Sequence, residues 1–323
     1  MKFLPSIALV SLLVSLTPCG ALAQSDFPNR GIRIMVGFPP GGSTDVLARM
    51  LAAEGGKRLG QEILVVNKPG VTGALAVNDV VASPADGYML GITPSTVLTL
   101  THLYQNIRPD LLENSSALLM VGRQRVGIAA KADNEIRTFR QLVETARKAP
   151  GKLSVGIPGT GTLTELITRA VFQQEKLDIT IVPFQGDAPI ITAILGNHVT
   201  AGSFSAGGWA QQVRGGAMRL LVSLEADRSE VAPDVPTLLE LGYEFKGNAI
   251  QYMFAPKGLP GAVRQRLIDT FVDAARTPSF IDVATKNALY DANTMSGDAL
   301  DQYLLKDRAG LVALANRLGV KKQ

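Results

Sequence analysis

Phe38-Pro39-Pro40-Gly41-Gly42-Ser43-Thr44-Asp45 joins an apolar, β-rich run, Ile32 to Phe38, to a helical pattern that continues from Thr44 to Glu54. Glycine lets another group approach the backbone closely, and the helix start that follows presents unpaired N–H donors at the positive end of its dipole. Such a turn stabilises an anion by about 0.3–1 kcal/mol, and up to ~2 where it is partly buried. The same grammar recurs in Asn67-Lys68-Pro69-Gly70-Val71-Thr72-Gly73 and in Gly156-Ile157-Pro158-Gly159-Thr160-Gly161-Thr162. Taken singly, each is an ordinary strand-to-helix connection; three in one chain suggest a cradle for a carboxylate or phosphate.

Outward from these turns, short β-rich runs alternate with helical patterns. The runs are Ile63 to Asn67, Tyr88 to Thr93, Leu118 to Val121, Val126 to Ala130, Leu153 to Ile157, Ile179 to Phe184, Val199 to Phe204 and Arg219 to Leu224. Helical spacing occupies Phe139 to Lys148, Thr162 to Gln174, Pro189 to Leu195 and Val263 to Ala275. Strand and helix in alternation predict α/β architecture with parallel sheets covered on both faces. From Asp298 onward, Leu300, Leu304, Leu311, Leu314 and Leu318 form one apolar stripe, so a terminal helix should pack on a sheet. Gly55-Gly56 predicts an early end or a kink in the first helix, at about 1 kcal/mol per internal glycine. Ser43 or Thr44 is the expected cap of that helix, and Thr162 with Glu165 forms a capping box for a later one.

The named nucleotide motifs are absent: the first turn lacks the Gly-Lys-Ser/Thr ending of a P-loop, and the third lacks the last glycine of the dinucleotide fingerprint. With 46% apolar and 19% charged residues, the 323-residue chain can bury a sizeable core, and no internal stretch approaches the roughly 20 apolar residues of a membrane span. Two histidines and one cysteine leave little for metal or thiol chemistry, and no metal site or cofactor is expected. The net charge of +4 is spread along the chain, with no basic block, so nucleic acid is not an expected partner.

Met1 to Ala23 reads as a secretory signal peptide: Lys2, an apolar stretch from Ile7 to Leu16, the breaker Pro18, and Ala21-Leu22-Ala23 as a small-x-small cleavage signal. Cys19 raises lipoprotein processing as a rival, but Pro18 stands where a small residue is wanted before an acylated cysteine. Cleavage after Ala23 leaves an exported chain with no cysteine and hence no disulfide.

Three groups of residues have two readings each. Arg123 and Arg125 either aim at a cleft as counter-ions or lie on a solvated strand face. Trp209, Phe204 and Tyr252 either line a pocket for an aromatic ligand or pack in a core or hinge. His102 and His198 are far apart and read as structural or exposed rather than as metal ligands.

Phe27-Pro28-Asn29-Arg30, Phe38-Pro39-Pro40-Gly41-Gly42-x-x-Asp45, Leu59-Gly60-Gln61, Asn67-Lys68-Pro69-Gly70, Ala85-Asp86-Gly87-Tyr88, Pro150-Gly151-Lys152-Leu153, Pro183-Phe184-Gln185-Gly186, Pro233-Asp234-Val235-Pro236-Thr237 and Ala255-Pro256-Lys257-Gly258-Leu259-Pro260 occur in that order. Together they resemble the substrate-binding proteins of tripartite tricarboxylate transporters, the Bug family, over nearly the whole exported chain. The resemblance implies a type 2 periplasmic-binding-protein fold: two α/β lobes with an interdomain ligand cleft. Lobe 1 is expected over 24–122 and 248–323, lobe 2 over 123–247, with hinge crossings near Val121 to Val126 and Asn248 to Phe254. It further implies a periplasmic, non-catalytic, monomeric receptor that captures a small organic carboxylate and delivers it to membrane permease subunits. The same closed form presented to a sensor kinase is the alternative.

Carried over by the resemblance, one wall of the cleft is Pro40, Gly41, Gly42, Asp45, Gly70 and Thr72, with Thr93 and Ser95. The other is Gly159, Thr160, Gly161, Thr162, Gln185, Gly186 and Ser205. Such a site holds a carboxylate through neutral donors, each charge-assisted bond worth about 1.5–3 kcal/mol, without a paired arginine. The chain departs from the family at Asp187, at Val71-Thr72-Gly73 and at Ile250-Gln251-Tyr252. Asp187 either faces the ligand or caps the helix that begins at Ala188-Pro189.

Overall fold

Ile32–Val36 (β1) is buried at four of its five positions, as a strand covered on both faces requires. In the computed structural model, which describes residues 27–101, 109–247 and 249–317, it pairs in parallel with Ile63–Asn67 (β2) and Met89–Pro94 (β3). Ser115–Arg123 (β4) and Val126–Lys131 (β5) are consecutive strands in different sheets. The second sheet adds Ser154–Ile157 (β6), Thr180–Pro183 (β7), Ala201–Ser205 (β8) and Met218–Ser223 (β9), and Ile250–Pro256 (β10) returns to the first. The strand orders are β2-β1-β3-β10-β4 and β7-β6-β8-β5-β9, which makes two α/β lobes of one topology.

Neither sheet is wholly parallel, contrary to the sequence expectation. β10 runs antiparallel to β3 and β4, and β5 runs antiparallel to β8 and β9. The cause is the connection between lobes. β1, β3 and β4 run toward the junction, whereas a strand that has just crossed it starts there and runs away.

The described helices are Ser43–Leu59 (α1), Ala74–Val81 (α2), Ser95–Thr99 (α3), Phe139–Lys148 (α4), Leu163–Gln174 (α5), Asp187–Leu195 (α6), Ala206–Arg214 (α7), Gly261–Ala275 (α8), Pro278–Lys286 (α9) and Gly297–Arg317 (α10). α1 runs straight through Gly55-Gly56 and ends at Gly60, whose φ of 65° is the left-handed C-cap. Gly55 is a packing position: a Cβ there would lie 2.7 Å from the Phe271 ring of α8. Leu47, Leu51, Leu267 and Phe271 are all buried in that contact, each worth about 1.5–3 kcal/mol.

α10 serves both lobes. Leu300 and Leu304 pack with Tyr252 and Phe254 on the first sheet, while Leu311 joins Val126, Ile128 and Tyr243 in the second core, with Leu314 partly buried against it. Leu318, His102, Cys19 and the signal segment with its cleavage at Ala23 lie outside the described residues; His198 is exposed. No described helix is long and apolar enough to cross a membrane, and no described group of three or more His, Cys, Asp or Glu is placed to hold a metal.

Candidate functional site

The first glycine turn enters α1 with Gly41 at φ 85° and Gly42 as N-cap, and no side chain caps the helix. The expected caps face elsewhere. Ser43 Oγ lies 2.7 Å from Ser205 Oγ, across the lobes, and Thr44 Oγ1 donates to Gln251 Oε1 at 3.2 Å. The turn is braced instead by Asp45, whose carboxylate accepts from the Gly41 N–H (2.9 Å), Arg49 Nε (3.0 Å) and Asn67 Nδ2 (2.9 Å). Burial raises the Asp45 pKa, but Arg49, the Gly41 amide and Asn67 outweigh it and hold the group below the usual carboxylate range. Asp45 is thus buried behind the turn, and Pro40 and Gly41 are exposed on it.

The second turn brings Thr72 to the other lobe, where its Oγ1 donates to the Thr160 carbonyl at 2.6 Å. The third turn carries the expected capping box. Thr162 Oγ1 accepts from the Glu165 N–H at 3.2 Å, and Glu165 Oε2 accepts from the Gly161 N–H at 2.6 Å. Gly159, at φ 142°, lies directly against Thr72: a Cβ there would meet Thr72 Oγ1 at 3.0 Å.

At the fourth turn Gln185 is exposed, and Gly186, at φ 101°, is the N-cap of α6 and packs against Pro39. The helix-cap reading of Asp187 is therefore overturned. Asp187 is the first residue of α6 and makes no cap bond. Its Oδ2 accepts from Ser205 Oγ and, at 3.1 Å, from Ser43 Oγ, while Oδ1 accepts from the Ser205 N–H at 3.5 Å. Since each hydroxyl carries one proton, a relay from Ser43 to Ser205 to Asp187 satisfies the two shortest contacts. Burial pushes the Asp187 carboxyl up, opposed by its bonds to Ser205 and Ser43.

Between these turns lies a cavity walled by Phe38, Pro39, Gly42, Ser43, Thr44 and Thr72 of the first lobe and by Pro158, Thr162, Thr164, Asp187 and Ala188 of the second. It leaves about 30 Å³ of free volume, against the roughly 10–15 Å³ that one water requires. The lobes thus meet closely here, with room for no more than a few waters between them. Among the described residues Asp187 is the one ionisable side chain on the wall, and no Lys or Arg lines it.

Of the residues anticipated at the cleft, Gly42, Thr72, Thr162 and Asp187 line the cavity. Ser205, Gly186, Gly159 and Thr160 stand at the contacts between lobes, Gly161 is held within its own turn by Glu165, and Gly70 shapes the Thr72 turn. Thr93 and Ser95 are fully buried at the end of β3, where Ser95 Oγ accepts from the Ile250 N–H at 3.3 Å, while Pro94 and Thr96 beside them reach the cavity. Sequence reasoning missed Ser43, Thr44, Thr96, Gln124 and Thr164 as wall residues; Ser43 and Thr44 were in view but read as caps. Arg123 instead approaches Glu225 at 3.9 Å, and neither it nor Arg125 lines the cavity. Trp209, Phe204 and Tyr252 are fully buried core residues.

A family model described as the tripartite tricarboxylate transporter family receptor matches residues 47–316. A UPF0065 protein from the gbd 5′ region of Cupriavidus necator is 30% identical over 98% of this chain and 96% of its own. The periplasmic binding protein BugD superimposes with a TM-score of 0.86 at 25% identity, covering 92% of this chain and 100% of BugD. An R. palustris protein with adipate has a TM-score of 0.86 at 22% identity, covering 92% and 100% of the two chains. MatC from Rhodopseudomonas palustris with bound malate has a TM-score of 0.82 at 23% identity, covering 89% and 99%. At those last two identities the likeness speaks for the fold alone.

Proposed function

Because the chain belongs to the tripartite tricarboxylate transporter family receptors, we propose that it is a periplasmic solute receptor that captures a small organic carboxylate between its lobes and delivers it to the permease subunits of such a transporter. The observation that carries this reading is the cavity wall: turns at the starts of α1, α5 and α6 converge on it from both lobes, and among the described residues it is lined by hydroxyl-bearing side chains and by no cation. Helix starts and hydroxyls that exchange their present partners for a solute suit one carboxylate held by neutral groups.

In this reading lobe 1 comprises 24–122 and 248–323 and lobe 2 comprises 123–247. The crossings at β4–β5 and before β10 form the hinge. Gly42, Thr72, Thr162 and Asp187 contact the solute, while Pro40, Gly41, Asp45, Gly70, Thr93, Ser95, Gly159, Thr160, Gly161, Gln185, Gly186 and Ser205 shape or flank the two walls. A solute that touches both walls favours the closed form by its differential affinity. The receptor acts as a monomer exported by cleavage near Ala23, and it releases its solute unchanged.

Thermal-shift screening of the exported form against mono-, di- and tricarboxylates and aromatic acids tests the proposal, because a ligand of the folded state raises its apparent stability. At least one carboxylate is expected to raise Tm, and Gly42→Glu, which places charge and bulk in the wall, is expected to abolish that response. Silence toward the whole panel, or chemical turnover of the bound compound, overturns it.

A further inference from the structure

Among the described residues the cavity wall carries one ionisable side chain, the carboxyl of Asp187. Asp187 shares the wall with the hydroxyls of Ser43, Thr44, Thr162 and Thr164, and no described Lys or Arg balances it there. We propose that the site selects a solute bearing a hydrogen-bond donor, an ammonium or a hydroxyl, beside its carboxylate, and that Asp187 is the residue that reads this donor. The inference rests on the receptor reading above and narrows its ligand class.

The geometry supplies three arguments. Asp187 Oδ2 is engaged by the Ser43–Ser205 relay, but Oδ1 accepts only the long 3.5 Å bond from the Ser205 N–H. A carboxylate oxygen has two lone pairs, so Oδ1 retains acceptor capacity for a donor arriving in the cavity. Asp187 also cannot withdraw: Gly208 of α7 backs it so closely that a Cβ there would lie 2.9 Å from Asp187 Cβ. Finally, no described cation on the wall offers a partner to a second solute carboxylate. A second solute carboxylate brought near Asp187 opposes its ionisation in a cleft where burial already opposes it, whereas an ammonium there favours the ionised form and gains a charge-assisted bond. In the closed form Ser43 of the first lobe reaches Asp187 through the Ser205 hydroxyl, and a solute ammonium adds a direct donor.

The test is isothermal titration of the full exported chain with matched sets differing in one substituent: succinate, L-malate and L-aspartate; glutarate, 2-hydroxyglutarate and L-glutamate; propionate, L-lactate and L-alanine. Within the set that binds, the amino acid is expected to bind at least about tenfold more tightly than the unsubstituted acid, the scale of one charge-assisted bond. Asp187→Asn, which keeps the size and one acceptor but removes the charge, is expected to collapse that ratio to within about threefold. An unsubstituted acid that binds as tightly as its amino and hydroxy counterparts overturns this inference and leaves the receptor reading standing. Failure of these sets and of the wider carboxylate panel to bind overturns the receptor reading, and this inference falls with it. The wild-type ratio decides the matter by itself, so the result holds even where the Asn variant folds poorly.

Discussion

Thr72 Oγ1 donates to the Thr160 carbonyl at 2.6 Å, so a hydroxyl of the first lobe closes on the backbone of the second. The reach has a backbone cost. Val71 and Thr72 sit at φ 49° and 54°, between Gly70 at 139° and Gly73 at 93°, and a non-glycine residue pays about 1–2 kcal/mol to hold the left-handed conformation. The bond offsets about 0.5–1.5 kcal/mol of that in the closed form only. Thr72→Val keeps the shape and the strain but removes the donor, so the opening equilibrium should shift several-fold toward the parted form. Small-angle scattering should show a larger radius of gyration for Thr72→Val and a parental value for Thr72→Ser; identical curves for all three would remove the bond from the closure balance.

Gly207 offers a sharper separation of closure from folding. It lies in the first turn of α7, and a Cβ there would stand 2.1 Å from Ser43 Cβ and 2.7 Å from Ser43 Cα, across the junction. Alanine gains roughly 1 kcal/mol of helix propensity over glycine, so the second lobe itself should not suffer. Gly207→Ala is expected to retain its melting temperature within a few degrees while losing the carboxylate-induced thermal shift. Undiminished ligand response would mean that α1 and α7 do not need to meet for capture.

These contacts also explain how far the residues could be read in advance. The Thr162–Glu165 box was legible because donor and acceptor lie three residues apart, within one turn of helix. Asp187 was not, since Gly-Asp-Ala-Pro carries the local pattern of a helix start while its actual donors are Ser205, eighteen residues on, and Ser43 in the other lobe. α7 escaped notice for a related reason. Gly207 and Gly208 argue against a helix locally, yet Ser43 and Phe204 leave no room for side chains at either position. The antiparallel course of β10 is a property of the lobe crossing, which no periodicity encodes.

The misjudged glycine pair in α1 has a measurable counterpart. A Cβ on Gly55 would meet Phe271 Cε1 at 2.7 Å and Ile63 Cδ1 at 3.3 Å. Overpacking of this kind costs about 1–3 kcal/mol, of which the helix-propensity gain returns about 1. Gly55→Ala should therefore lower the urea midpoint modestly, and adding Phe271→Leu should cost less in the Gly55→Ala background than in the parent. Strict additivity of the two changes would show that α1 and α8 do not bear on each other there.

Glu225 places a titrating group where the chain crosses between the two sheets. Its Oε1 accepts from the Val126 N–H at 3.2 Å, where β5 begins, and Gly247, just before β10, approaches so closely that a Cβ would lie 2.5 Å from Oε1. Arg123 Nε stands 3.9 Å from Oε2, within ion-pair range but too far for a hydrogen bond. Burial lifts the carboxyl to about 8, against the pull of Arg123, the Val126 amide and Arg125, while Asp227 lifts it further. A folded-state pKa above the unfolded value means that the native protein binds this proton more tightly. Its stabilising contribution is therefore complete below about pH 4.5 and is lost as pH rises toward 8. Asp187, Asp301 and Asp307, the last near 6, are shifted in the same direction, so the total slope does not isolate Glu225. The difference between parent and Glu225→Gln does, because glutamine keeps an acceptor for Val126 and carries no charge at any pH. The melting temperature of Glu225→Gln should fall less steeply between pH 5 and 8 and should exceed the parent's above pH 8. Parallel curves for the two proteins would show that Glu225 ionises without regard to folding.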